Sequence, residues 1–139
     1  MPVTLTTEAP RSLAQAVGRG MRLRCPHCGQ GHLFKSFLKI ADTCDSCGEE
    51  LHHHRADDFP PYISIFIVGH LIVGLILHLE MTYTDVAPWV YMATMLPAAI
   101  ILPLVLLPSI KGGVVGMQWA QRMHGFASTG RDPALPDYP

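Results

Sequence analysis

The chain has 139 residues, is 49% hydrophobic and 15% charged, and sets ten Lys or Arg against eleven Asp or Glu for a formal net charge of −1. That balance gives no basic surface for phosphate recognition, which argues against a nucleic-acid-binding role. The apolar residues are concentrated between Phe59 and Ile110, and what flanks them is too short and polar to fold by hydrophobic burial alone.

Residues 1–20 carry Thr4, Thr6, Thr7, Glu8, Pro10 and Arg11 and lack the continuous apolar core of a secretory signal. They are expected to form a partly disordered, unexported segment. Residues 21–58 read as a zinc-ribbon head with a short β hairpin. Cys25-Pro26-His27-Cys28-Gly29 and Cys44-Asp45-Ser46-Cys47-Gly48 are two Cys-x-x-Cys-Gly knuckles, and a loop of this length between them lets four thiolates converge on one tetrahedral Zn²⁺. A glycine after each pair can take positive φ and turn backbone N–H groups toward the sulfurs. Disulfides or thioredoxin-like redox chemistry fit less well, because such turns suit a metal in a reducing compartment.

The metal ligands are therefore expected to be Cys25, Cys28, Cys44 and Cys47, with zinc the implied cofactor. Four thiolates close the coordination sphere, so catalysis at the metal is not expected. A four-thiolate zinc site carries a net charge of −2, which Arg22, Arg24, Lys35 and Lys39 are placed to offset. Leu33, Phe34, Phe37, Leu38 and Ile40 supply a small apolar cluster for the hairpin. His27 reads as an exposed turn residue. The run His52-His53-His54 offers imidazoles to Cu, Zn or Ni, although a solvated linker is the preferred reading.

Residues 59–110 form the expected transmembrane hairpin, with helices at about 62–79 and 88–110; neither uncharged stretch contains Asp, Glu, Lys or Arg. Pro60 and Pro61 suit the first turn of a helix, and Pro97, Pro103 and Pro108 are tolerable in a membrane helix. Every Lys and Arg lies at or before Arg55 or at or after Lys111, which places both ends in the cytoplasm and Thr84 outside. Trp89, Tyr83 and Tyr91 fall near the outer interface. Asp57 and Asp58 stand at the inner interface as helix caps or cation partners.

His70 and His78 are the intramembrane polar residues, and a buried imidazole needs a partner. Helix-rise arithmetic sets His70 level with Ala99 and His78 level with Ala93, the carbonyls freed by Pro103 and Pro97. The expectation is that these histidines lock the hairpin, with haem or copper ligation as the competing reading. Residues 111–126 then read as an amphipathic helix lying on the membrane surface or the ribbon, and residues 127–139 as a disordered tail. Lys111 and Trp119 join Asp57 and Asp58 as candidate partner contacts.

The order of Cys-Pro-x-Cys-Gly, Gly31-x-Leu33-Phe34, the second Cys-x-x-Cys-Gly, Ala56-Asp57-Asp58, Ile67-Val68-Gly69-His70, two apolar helices and Lys111-Gly112 before Gln118-Trp119 and His124 resembles the bacterial domain-of-unknown-function family 983. The likeness runs from Arg22 to Phe126. It departs at Phe59-Pro60-Pro61, where the family pattern is expected to read Gly-Pro-Ala. The resemblance implies a small bacterial inner-membrane protein with a zinc-ribbon-like head and no assigned activity. It also suggests proximity to haem-copper oxidase assembly, since some alphaproteobacterial members are similar to proteins encoded near such factors.

Taken together, these features imply a non-catalytic accessory or assembly protein of the inner membrane, partnered by lipid and by another membrane protein, with a homo-oligomer compatible with the same reading. A metal or haem handling protein using His70, His78 and the His52 to His54 run is the alternative. An enzyme acting on lipid or quinone lacks a convincing nucleophile and base.

Overall fold

The computed structural model describes residues 10–53, 59–123 and 125–126. In chain order it contains helix α1 (Leu13–Met21), strands β1 (Phe34–Ser36) and β2 (Lys39–Ile40), and helices α2 (Phe59–Thr82) and α3 (Pro88–Ala120). Asp57, Asp58, His54, His124 and the 127–139 tail lie outside the described residues.

Ser12 caps α1: its hydroxyl accepts from the Gln15 N–H, satisfying one of the donors a helix start leaves open. Within the span 1–20, expected to be partly disordered, residues 13–20 belong to this helix, and residues 1–9 lie outside the described residues. Its packing face carries Ala16 and Gly20, both buried. The chain then turns through Leu23, at φ 62°, into the first knuckle. The following hairpin pairs Phe34 with Ile40 and Ser36 with Lys39 in antiparallel register, irregular between Phe34 and Ser36, and Leu38 takes φ 60° at its tip.

α2 begins on Phe59 with Pro60 and Pro61 in its first turn, where the missing N–H groups are no loss. α3 begins with Pro88 at its first position and runs unbroken through Pro97, Pro103 and Pro108. At ~1.5 Å per residue the two helices are roughly 36 Å and 50 Å long, so each exceeds the ~30 Å of a bilayer core. Both are long and apolar enough to cross a membrane, and only 11% and 6% of their apolar windows are buried. A core helix of a soluble protein would be largely covered; these leave most of their apolar side chains exposed.

The separate amphipathic helix expected over 111–126 is instead the last turns of α3, which continues without a break to Ala120. Gly112 and Gly113 form the face on which α1 packs. A Cβ on Gly113 would meet Met21 Cγ at 2.9 Å, and one on Gly116 would meet the Ala16 carbonyl oxygen at 2.4 Å. Beyond Ala120 the chain reverses through Arg122, at φ 55°, and inserts Phe126 into the head. The core accordingly belongs to the head: Ala16, Cys25, Leu33, Ile40, Cys44 and Leu51 pack with Val114, Val115, Trp119 and Phe126.

The depth match proposed for the histidines does not become contact. His70 is exposed and donates from Nδ1 to the Phe66 carbonyl of its own helix at 2.8 Å, with its ring against that of Phe66. His78 is exposed as well. The buried face of α2 is Pro60, Ser64 and Val68, and two further residues rotate the helix by about 200°, carrying His70 to the opposite side. Depth is set by rise alone, whereas contact also requires the right rotation.

Candidate metal centre

Each knuckle is built by the same backbone pattern. Gly29 N–H donates to the Cys25 carbonyl at 2.9 Å, and Gly48 N–H to the Cys44 carbonyl at 3.1 Å. Gly29 has φ 72° and Gly48 φ 74°, so both occupy the left-handed region that glycine enters without penalty. Cys25 N–H is tied to the Gly31 carbonyl and Cys44 N–H to the Glu49 carbonyl, both at 2.8 Å, closing each turn at its base. Further N–H groups face the sulfurs: Gln30 and Gly31 donate to Cys28 Sγ at 3.5 Å, and Ser46 to Cys44 Sγ at 3.4 Å.

The two knuckles bring Cys25, Cys28, Cys44 and Cys47 into one cluster, all four sulfurs lying within 4.8 Å of one another. Cys25 Sγ is 3.8 Å from Cys47 Sγ, and Cys28 Sγ is 3.7 Å from Cys44 Sγ. With Zn–S bonds of about 2.3 Å, a regular tetrahedron has sulfur-to-sulfur edges of about 3.8 Å. These two separations match the edges a tetrahedral four-thiolate ion requires, and they are far beyond the ~2 Å of a disulfide. They could hold a metal ion, and zinc fits both the donor set and the spacing. Gly31 is needed for space as well: a Cβ there would lie 2.2 Å from Cys44 Sγ.

The sulfurs differ in their surroundings. Burial pushes the Cys25 thiol far above its ordinary range and also raises Cys47. Burial acts in the same direction on Cys28, but the N–H groups of Gly31 and Gln30 and the neighbouring Cys47 and Cys44 thiols outweigh it, bringing Cys28 down to about 6. A bound cation would bring all four to the thiolate form.

Outside the thiols, His27 places Nδ1 3.5 Å from Cys47 Sγ and its ring edge against Trp119, an outer position rather than a ligand's. Arg19 is the cation that braces the first knuckle, donating to the Pro26 and His27 carbonyls at 3.3 and 2.8 Å. Of the four cations expected to offset the metal's charge, Lys35 pairs with Asp42, holding that carboxyl below its usual range, while Arg22, Arg24 and Lys39 are exposed. Asp45 is likewise held low by His32, whose ring and N–H both reach it.

Two residues expected as partner contacts, Trp119 and Lys111, make contacts within the chain. Trp119 is 6% exposed; its Nε1 donates to Glu49 Oε1 at 2.9 Å, and the Arg11 guanidinium lies 4.3 Å over its ring. Arg11 also donates to the Trp119 carbonyl at 2.8 Å. Lys111 Nζ donates to the Leu38 carbonyl at 2.9 Å, fastening the tip of the β hairpin to α3. A large aromatic at the end of an apolar helix resembles a membrane anchor in sequence, but the head's small core needs that surface.

Sequence reasoning missed α1 and its braces, Arg11 and Arg19. The available signal was the spacing Ala16-x-x-x-Gly20 and Gly112-x-x-x-Gly116, small residues one turn apart on two helices. Between α1 and the first knuckle lies an open cleft of about 490 Å³, bordered by Arg11, Arg19, His27, Glu49 and Arg122.

A two-helix membrane-type hairpin bearing a four-cysteine head is the class that this fold and site define. The family model for a protein of unknown function, DUF983, matches residues 34–119, more than half of the chain, and the protein belongs to that family. The match takes in Cys44 and Cys47 but begins after Cys25 and Cys28. No curated protein and no solved structure matches the chain.

Proposed function

We propose that the protein is a non-catalytic, zinc-stapled accessory protein of the bacterial inner membrane, with both termini in the cytoplasm, that serves a membrane partner through its head. The observation that carries this reading is the four-sulfur cluster at tetrahedral spacing. Such a site has no open position for water or substrate, so its metal organises the head instead of performing chemistry. The same head is fastened to the end of α3 by backbone packing and by Lys111, which couples it to the apolar hairpin. With no basic excess in the chain, a protein partner suits the head better than nucleic acid.

The family resemblance makes haem-copper oxidase assembly the specific process to test. Deleting the protein should lower assembled oxidase while leaving its subunit transcripts unchanged, and the oxidase or an assembly factor should co-purify with it from native membranes. Normal oxidase levels at both low and high copper would remove that role. A haem Soret band in the purified protein that disappears with His70→Ala and His78→Ala would instead favour cofactor handling.

A further inference from the structure

We propose that Glu50, His52 and His53 form a second, exchangeable site for a borderline divalent cation such as Zn²⁺ or Ni²⁺, distinct from the four-thiolate centre. One ligand atom from each residue lies within 4.8 Å of the others. His53 Nε2 is 3.0 Å from Glu50 Oε2, and the two histidine rings lie 4.0 Å apart at 39°. With metal–nitrogen and metal–oxygen bonds of about 2.1 Å, a 3.0 Å separation corresponds to an angle of about 90° at a shared ion, which suits five- or six-coordinate geometry. An ion pair would need only Glu50 and His53. It is the His52 nitrogen, within 4.8 Å of both, that makes a three-ligand set.

The segment is held in place by the folded head. Thr43 and Glu50 form an antiparallel bridge, and the N–H groups of Leu51 and His52 both donate to the Asp42 carbonyl, at 2.8 and 3.2 Å. His53 meets Phe126 edge to face, with centroids 5.9 Å apart. Gly125 leaves room for the ring, since a Cβ there would lie 2.8 Å from His53 Nδ1. The carboxylate and two imidazoles select Zn, Ni or Cu(II) over Mg or Ca. Glu50 and His52 are exposed, and three protein ligands leave positions for water or an incoming donor. The site is accordingly one that takes up and releases its ion, in contrast with the closed sulfur cluster beside it.

The test uses full-length, tag-free protein in detergent, already carrying one equivalent of zinc. Titrated with Zn²⁺ against a chromophoric chelator, the wild type should take up a second, weaker equivalent. The His52→Gln, His53→Gln double variant should lose that equivalent and keep the first, and Glu50→Gln should weaken it by more than the roughly 10–100-fold that an outer-shell change costs. Uptake of one equivalent only by the wild type, or retention of the second by the double variant, would overturn the site. Should the double variant release both ions, the wild type decides: Ni²⁺ should broaden the imidazole NMR signals of His52 and His53 before those of His27, His32, His70 and His78. Broadening that begins elsewhere would equally refute the assignment.

Discussion

Gly20 of α1 and Gly112 of α3 meet backbone to backbone: a Cβ built on either would lie 2.0 Å from the other's carbonyl oxygen. No side chain separates the two helices at this point, so α1 seats directly on the end of the long apolar helix. Because the first knuckle follows α1 after a single turn, the same contact fixes where the four-sulfur cluster sits relative to the hairpin.

Gly20→Ala or Gly112→Ala should therefore destabilise the head by about 1–3 kcal/mol, since the intruding methyl meets rigid backbone instead of a movable side chain. Gly18→Ala in the same helix is the control. It has nothing within 4 Å of its would-be Cβ, and should stabilise α1 by up to about 1 kcal/mol through lower unfolded-state entropy. Thermal unfolding followed by near-UV circular dichroism compares the three. Equal stability of Gly20→Ala and Gly18→Ala would refute the close approach.

Metal removal should release the head while sparing the hairpin. Without a cation the four thiols no longer tie the knuckles together, and the small core cannot hold α1 and the ribbon by itself. Chelation, or the Cys44→Ser, Cys47→Ser double change, should open Arg19, Arg22 and Arg24 to trypsin while most far-UV helical signal persists from α2 and α3. An unchanged digestion pattern after complete metal removal would show that the fold of the head does not depend on the ion.

Motifs whose chemistry is local were legible in the sequence. The knuckles, their positive-φ glycines, the proline entry to α2 and the two apolar helices follow from spacing and residue type within short windows. What could not be read were contacts set by helix rotation and distant packing. Trp119 finds Glu49 and Arg11 from far along the chain, Phe126 closes the core, and His70 points away from α3. The role of Gly112 and Gly113 was hidden for a related reason: glycine ends helices and also lets them touch, and only the partner helix decides which.

Trp119→Phe tests that internal role. It removes the Nε1 bond to the Glu49 carboxylate and weakens the ring beneath Arg11, for an expected loss of about 1.5–3 kcal/mol. Trp89→Phe, at an exposed position near the start of α3, should leave the head unaffected. Tryptophan fluorescence of the Trp89→Phe protein then reports on Trp119 alone. An emission maximum typical of a water-exposed indole would contradict its burial.

On α2, the orientation of the helix predicts opposite effects from neighbouring changes. Val68 is 5% exposed and belongs to the buried face, so Val68→Ala should weaken hairpin packing by about 1–2 kcal/mol. His70→Leu replaces an exposed side chain that, among the described residues, is bonded within its own helix, and should fall within about 0.5 kcal/mol of the wild type. Resistance to denaturing detergent ranks the variants. A larger loss for His70→Leu than for Val68→Ala would return the histidine to the helix interface.

Membrane orientation can be read from the turn between α2 and α3. Thr84 is exposed there, in a connection without Lys or Arg, whereas the positive charges stand at the far ends of both helices: Arg55 precedes α2, and Lys111 and Arg122 lie at the end of α3. Positively charged flanks are retained on the cytoplasmic side, so a cysteine at Thr84 should react with an impermeant maleimide added to intact cells. A cysteine at Ser128 should react only after the membrane is opened. The protein has four native thiols, so wild-type cells supply the background for both. Labelling of Ser128→Cys but not Thr84→Cys in intact cells would place the head outside. A reducing environment would then no longer protect the four thiols, and their metal would have to compete with disulfide formation.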